Sequence, residues 1–214
     1  MNSQTRREIR FGLIALALSG LLLALSTLLR GPVSLTDPVS FIRNAASPIY
    51  VLAWTFILVG GVLNQYGSFG LYRYLTYQTP SLIAFVAFVL RIVGIALFLP
   101  LAAFFAVNGP VIAKLYQQGN QEVLSVVESC FTGLGLILFG LSGVGEIMGW
   151  ILFAVALWRD GRLPKSTVFL FLLALPLVVI PLNLATEFLG WVLLLISTSM
   201  MAWKGWQESM TSAG

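Results

Sequence analysis

The chain has 214 residues, 58% hydrophobic and only 9% charged, with a mean hydropathy of +0.94. A soluble domain carries roughly 25% charged residues, so the composition excludes an ordinary soluble core and predicts an all-α, polytopic helical membrane protein. The net charge is +4 (12 Lys and Arg against 8 Asp and Glu), histidine is absent and Cys130 is the single cysteine. The basic residues lie scattered at the ends of apolar runs, which argues against nucleic acid, while the missing histidines and the lone thiol argue against an intrachain disulfide and most metal or acid–base chemistry.

Apolar windows long enough to cross a bilayer give six expected spans, over 11–29, 49–63, 81–107, 131–158, 168–182 and 188–203. The first follows Arg6, Arg7 and Arg10 and is closed by Arg30. Its apolar run exceeds a signal-peptide core and no small-residue cleavage site precedes Arg30, so a retained helix is expected. Pro48 and Pro80 stand before the second and third spans, where a helix begins without losing a hydrogen bond. Between the first two, Asp37 is placed to cap a short helix starting at Pro38, and after the third, Asn108-Gly109-Pro110 is expected to open another, ending near Gly119. The fourth span sits in a tract from Val123 to Trp158 of about 54 Å as helix, so its first turns, with Glu128, should protrude. Pro176 and Pro181 fall in the fifth span, and only Asn183 to Glu187 separate it from the sixth, which requires an antiparallel hairpin.

With the N-terminus on the cytoplasmic side, the inner segments hold Arg6, Arg7, Arg10, Arg73, Arg159, Arg162, Lys165 and Lys204; the outer ones hold Arg30, Arg43 and Lys114. This positive-inside bias puts both termini in the cytoplasm, with a tail over 204–214. The bilayer is then the first partner, in a cell membrane, with a membrane protein or a second copy of the chain as the remaining partner classes.

Two charges interrupt the spans. Arg91 lies about 16 Å from the inner end of the third and Glu146 about 20 Å from the inner end of the fourth. An isolated charge at that depth costs several kcal/mol, by roughly 3 on insertion scales, so an Arg91–Glu146 ion pair is expected. A matched pair satisfies itself, and helix glue is the preferred reading over a proton or cation site. Glu128 and Glu146, 18 residues apart or five whole helical turns, are expected to share a face, in a stripe with Thr132, Gly135, Ser142 and Gly149. Close packing explains such a stripe more readily than a polar path does, given the spacing Gly145-x-x-x-Gly149. Pro100, like Pro176, is expected to kink its span.

No phosphate loop, serine elbow, zinc-protease helix or C-x-x-C is present, and no metal or cofactor pattern. Phe88-Val89-Leu90-Arg91-Ile92-Val93, with Gly149-Trp150-Ile151-Leu152-Phe153 through Arg159-Asp160-Gly161-Arg162-Leu163-Pro164, resembles a bacterial family of multi-pass membrane proteins of unknown function. The resemblance covers about half of the chain and implies a helical membrane fold in a bacterial membrane, with no activity to carry over; Glu146 falls outside the matched positions.

Three function classes follow. A non-catalytic membrane subunit or assembly protein needs only packing faces and short loops, and is preferred. The alternative is a small proton- or cation-coupled transporter using Glu146, with Arg91 holding it ionised. An intramembrane enzyme ranks last, because Glu128, Glu146 and Glu187 have no histidine, paired aspartate or cysteine nucleophile beside them.

Overall fold

The computed structural model describes residues 3–30, 38–179 and 183–211. Among them the chain is all-helical, with no strand: α1 (Ser3–Arg30), α2 (Pro38–Ala45), α3 (Pro48–Thr76), α4 (Leu82–Gln117), α5 (Val123–Cys130), α6 (Gly133–Asp160), α7 (Lys165–Val179) and α8 (Leu184–Thr211). Five segments, α1, α3, α4, the stretch from Val123 to Asp160, and α8, are long and apolar enough to cross a membrane. That is the pattern of a membrane protein. The sixth apolar helix, α7, has 15 residues, so at about 1.5 Å per residue it falls short of a bilayer core.

Local chemistry sets the boundaries. Ser47 accepts from the Ile49 N–H at 3.3 Å with Pro48 opening α3, and Ser81 accepts from the Ala84 N–H at 3.2 Å to start α4. Gly161, at φ +71°, closes α6 with its N–H on the Leu157 carbonyl. The Asp37 cap and Pro181 lie outside the described residues.

Several boundaries differ from the hydropathy reading, among them the end of α3, which lies at Thr76 rather than near 63. No separate helix opens at Asn108-Gly109-Pro110: α4 runs through Pro100 and Pro110 to Gln117, about 54 Å in all. The turn before Pro110 takes side-chain donors instead, with Asn108 Nδ2 on the Phe104 carbonyl at 3.1 Å and the Tyr50 hydroxyl on the Phe105 carbonyl at 3.2 Å. Conversely, the tract from Val123 is two helices, because the backbone breaks after Cys130 and resumes at Gly133 with φ +51°. Glu128 therefore sits on α5 and does not share a helix face with Glu146.

Six helices close into a ring in the order α1, α3, α4, α6, α7, α8, with neighbours antiparallel. The seams are glycine-lined. A Cβ at Gly12 of α1 would stand 2.4 Å from Gly70 Cα of α3, and one at Gly145 of α6 would stand 3.0 Å from the Leu90 carbonyl of α4. Backbones at this separation leave no room for a side chain, which is the packing that bilayers favour. The end of the ring carrying Arg73 and Arg162 is filled by Leu13, Leu16, Leu71, Tyr74, Phe153 and Leu157. At the opposite end, α2 and α5 pack against α3 and α4 around Phe41, Tyr50, Trp54 and Phe105.

Candidate functional site

Among the described residues the fully buried charge is Arg91, the tenth residue of α4, whose side chain is 0% exposed. A guanidinium in that position needs partners on every side, because it cannot shed its proton. It finds them on two neighbouring helices: the carboxylate of Glu146 on α6, Asn64 Oδ1 on α3, and Ser68 Oγ on α3 at 3.4 Å. The ring of Trp150 on α6 lies 3.8 Å from the guanidinium carbon, a cation–π contact that covers one planar face of the ion. Trp150 is itself held edge-on by Phe171 of α7 at 4.7 Å.

The aliphatic part of Arg91 fits only because α6 is bare opposite it. A Cβ at Gly149 would come 2.6 Å from Arg91 Cγ, and one at Gly94 would come 2.9 Å from the Glu146 backbone nitrogen. Ser142 completes this seam by donating to the Gly94 carbonyl at 2.8 Å. Gly149 and Ser142 thus act at the α4–α6 contact. The rest of the sequence stripe is elsewhere: Thr132 and Glu128 are exposed, Thr132 donating to the Glu128 carbonyl at 3.0 Å, and Gly135 packs under the Cys130 carbonyl at the helix break.

Glu146 differs from its partner in having a way out. Its side chain is 24% exposed and lines a cavity of about 300 Å³ inside the ring, on the side away from Arg73 and Arg162. All six ring helices contribute to the lining, among them Arg30, Asn64, Phe98, Glu146, Leu175 and Glu187. Arg91 is not part of it. One carboxylate oxygen, Oε2, meets Arg91, whereas Oε1 is buried with no hydrogen-bond partner.

A second ion pair stands at the other extremity of the cavity. Arg30, at the end of α1, binds both carboxylate oxygens of Glu187 at the start of α8, at 2.8 and 2.9 Å, and Thr27 adds a hydroxyl at 3.1 Å. The two side chains are 19% and 16% exposed. Both bonds come from the single nitrogen Nη2, so one donor of Arg30 is shared between the two oxygens.

At the packed end, basic residues are tied down individually. Arg73 binds Glu8 at 2.9 Å, and Arg162 binds Asp160 and the Tyr74 carbonyl, both at 2.7 Å. Burial opposes the charge on Arg162, yet the bonds from Asp160 outweigh it and hold the proton more firmly than in a free guanidinium. Among the described residues no cluster of three metal-binding side chains exists.

Asn64, Ser68 and the Arg30–Glu187 pair were not singled out as site residues from the sequence. The legible signal was the helical spacing Gly60, Asn64, Gly67, Ser68, Leu71, a small and polar strip that continues α3 past the point where hydropathy falls. Comparison of the chain with protein-family models, curated proteins and solved structures yields no match, so the functional argument rests on these residues alone.

Proposed function

We propose that the protein is a small proton- or cation-coupled membrane transport protein, with Glu146 as the exchanging carboxylate and the cavity inside the ring as its substrate site. The observation that carries this reading is the inequality within the central pair: Arg91 is wholly enclosed, while Glu146 is 24% exposed in a cavity lined by all six helices. Arg91 supplies a fixed positive charge that favours the ionised carboxylate, and the partly exposed Glu146 side chain is the group that takes up a proton or cation. A non-catalytic subunit or assembly protein, the role preferred on sequence grounds, has no need of a cavity ending on a buried acid.

In this reading α7 counts as the sixth crossing despite its length, since the ring closes only through it. Both termini lie in the cytoplasm, where the basic end of the bundle would also lie, and the cavity belongs to the outer half of a plasma membrane. Reporter fusions at Gly119 and Gly161 should read outside and inside respectively; the reverse would invert the orientation.

The decisive experiment is proton uptake into liposomes under an imposed gradient. Wild type should conduct, and an Arg91→Met, Glu146→Leu double variant should fold yet conduct nothing, because the exchanging group is gone while no charge is stranded. A folded double variant with undiminished flux would return the pair to the role of helix glue.

A further inference from the structure

A second hollow lies on the outside of the ring, between α1 and α8. The two helices touch closely at two levels: a Cβ at Gly20 would stand 3.2 Å from Leu195 Cα, and one at Gly205 would stand 2.9 Å from Leu13 Cδ1. Beside these contacts runs a groove of about 390 Å³, lined from Ile14 to Leu21 on α1 and from Leu195 to Trp206 on α8. The small side chains of Ala17, Ser199 and Ala202 leave the space, while Leu18, Leu21, Trp203 and Trp206 are exposed beside it. One end of the groove is marked by a cation. The Arg10 guanidinium carbon lies 4.5 Å from the centroid of the Trp206 ring, and Arg10 precedes Ile14 by one helical turn, so it continues the same strip of α1. At this end the two helices carry Arg6, Arg7, Arg10 and Lys204 against Glu8 and Glu208, and Glu8 is bound to Arg73 at 2.9 Å. The local balance is positive.

Independently of the transport reading, we infer that this groove holds one anionic phospholipid of the leaflet at the basic end, with an acyl chain along Leu18, Leu21 and Leu195 and the lipid phosphate accepting from the Arg10 guanidinium. Length is the first argument. From Leu195 to Trp206 the groove runs about 16 Å as helix, close to one leaflet of a hydrocarbon core of about 30 Å. A partner helix crossing the whole membrane would need the face of α1 beyond Leu21, where the groove stops. Depth is the second argument, because exposed tryptophan rings settle at the level of lipid headgroups, and Trp206 holds Arg10 at that level. Charge is the third. A guanidinium donates to a phosphate through its planar fork, and a headgroup that brings no ammonium toward Arg7 and Lys204 is favoured over phosphatidylcholine, which does.

The test uses the full chain in a mild detergent, titrated with phosphatidylglycerol and phosphatidylcholine of identical acyl chains. Bound lipid is counted by native mass spectrometry, and the rise in melting temperature gives a second reading. Wild type should retain one phosphatidylglycerol, with a dissociation constant lower than that of phosphatidylcholine by on the order of fivefold, the increment of one basic side chain near an anionic headgroup. Arg10→Gln should bring the two lipids to equal affinity. Ser199→Phe should fill the groove and abolish retention of both without lowering the melting temperature of the lipid-free protein, since Ser199 is exposed. Ser199→Leu, a smaller insertion, tests the same point where phenylalanine prevents folding. Arg43→Gln, which removes an exposed cation from α2 at the opposite end, should change neither affinity. Equal affinities in wild type overturn the inference. So does a preference for phosphatidylglycerol that survives in the Ser199 variants, which would mean diffuse attraction to the basic end. Cross-linking of a cysteine at Leu18 to its counterpart in a second chain also overturns it, because a protein would then occupy the groove.

Discussion

The two ion pairs at the ends of the cavity use the same chemistry in opposite ways. Arg30 and Glu187 are matched in exposure, 19% and 16%, with one guanidinium nitrogen bonded to both carboxylate oxygens. Arg91 and Glu146 are unmatched, 0% against 24%. A symmetric pair ties two helices; an asymmetric one immobilises the base in order to present the acid. In a fold whose described interior is glycine-seamed and carries mainly apolar and uncharged polar side chains, that difference separates a fastening from a site.

The comparison is broken most directly by removing one charge at a time from the central pair. Glu146→Gln leaves Arg91 buried with a charge it cannot lose, at a cost of about 3 to 5 kcal/mol. Arg91→Met leaves Glu146, which can become neutral by taking a proton from the cavity side, so its cost should be smaller. The Arg91→Met, Glu146→Leu double variant should recover most of the wild-type stability. Melting temperatures of the four proteins in one detergent decide this. Equal losses in the two single variants would mean that the exposure of Glu146 has no energetic consequence.

A backbone change sharpens the same point without touching a charge. Gly149→Ala pushes a methyl group against Arg91 Cγ and Cδ and the Ala87 carbonyl, at 2.6, 2.9 and 3.0 Å. The guanidinium stem is held by Asn64, Ser68 and Trp150 and cannot swing aside freely. Overpacking of this kind costs about 1 to 3 kcal/mol. The expected result is a lowered melting temperature together with weakened flux, because the shifted Arg91 no longer holds Glu146. An unchanged melting temperature would show that Arg91 is not pinned.

How much of this was legible in the sequence depended on length scale. Helical membrane character follows from composition and needs no contact information. The two charges on neighbouring antiparallel helices are visible as interruptions of apolar runs, and a depth estimate suffices to propose their pairing. What escaped was set by tertiary packing. Asn64 and Ser68 lie in a weakly apolar part of α3 that a hydropathy window discards, although the helix continues to Thr76 because Gly67 and Gly70 press against Leu16 and Gly12 of α1. The stripe from Glu128 failed for a local reason, the left-handed backbone at Gly133, which no periodicity argument detects when apolar residues continue on both sides. The pairing of Arg30 with Glu187 brings together residues 157 positions apart in the chain, and only ring closure between α1 and α8 makes them neighbours.

The outer pair should be energetically modest. Both partners are partly exposed, so after allowance for screening their coupling is about 1 kcal/mol, measurable from Arg30→Met, Glu187→Leu and the double variant. Proton flux should survive in the double variant if this pair only ties α1 to α8. A loss of flux with intact folding would make it a second functional charge pair and erase the contrast with the central one.

The smallest effect is expected at Gly140, and its sign carries the information. Gly140 lies on α6, exposed, with nothing within 4 Å of the place a Cβ would take, whereas nine residues on, Gly149 has no space at all. Alanine is a better helix former than glycine by about 0.5 to 1 kcal/mol, an advantage that is realised only where the added methyl meets no obstacle. Gly140→Ala should therefore leave the melting temperature unchanged or raise it slightly, with the central pair and the cavity unaffected. If it lowers the melting temperature instead, a surface outside this single chain must already occupy that groove. The face of α6 would then be a contact with a second copy or a partner helix. Cross-linking of wild type but not of Gly140→Ala into a dimer would establish that contact.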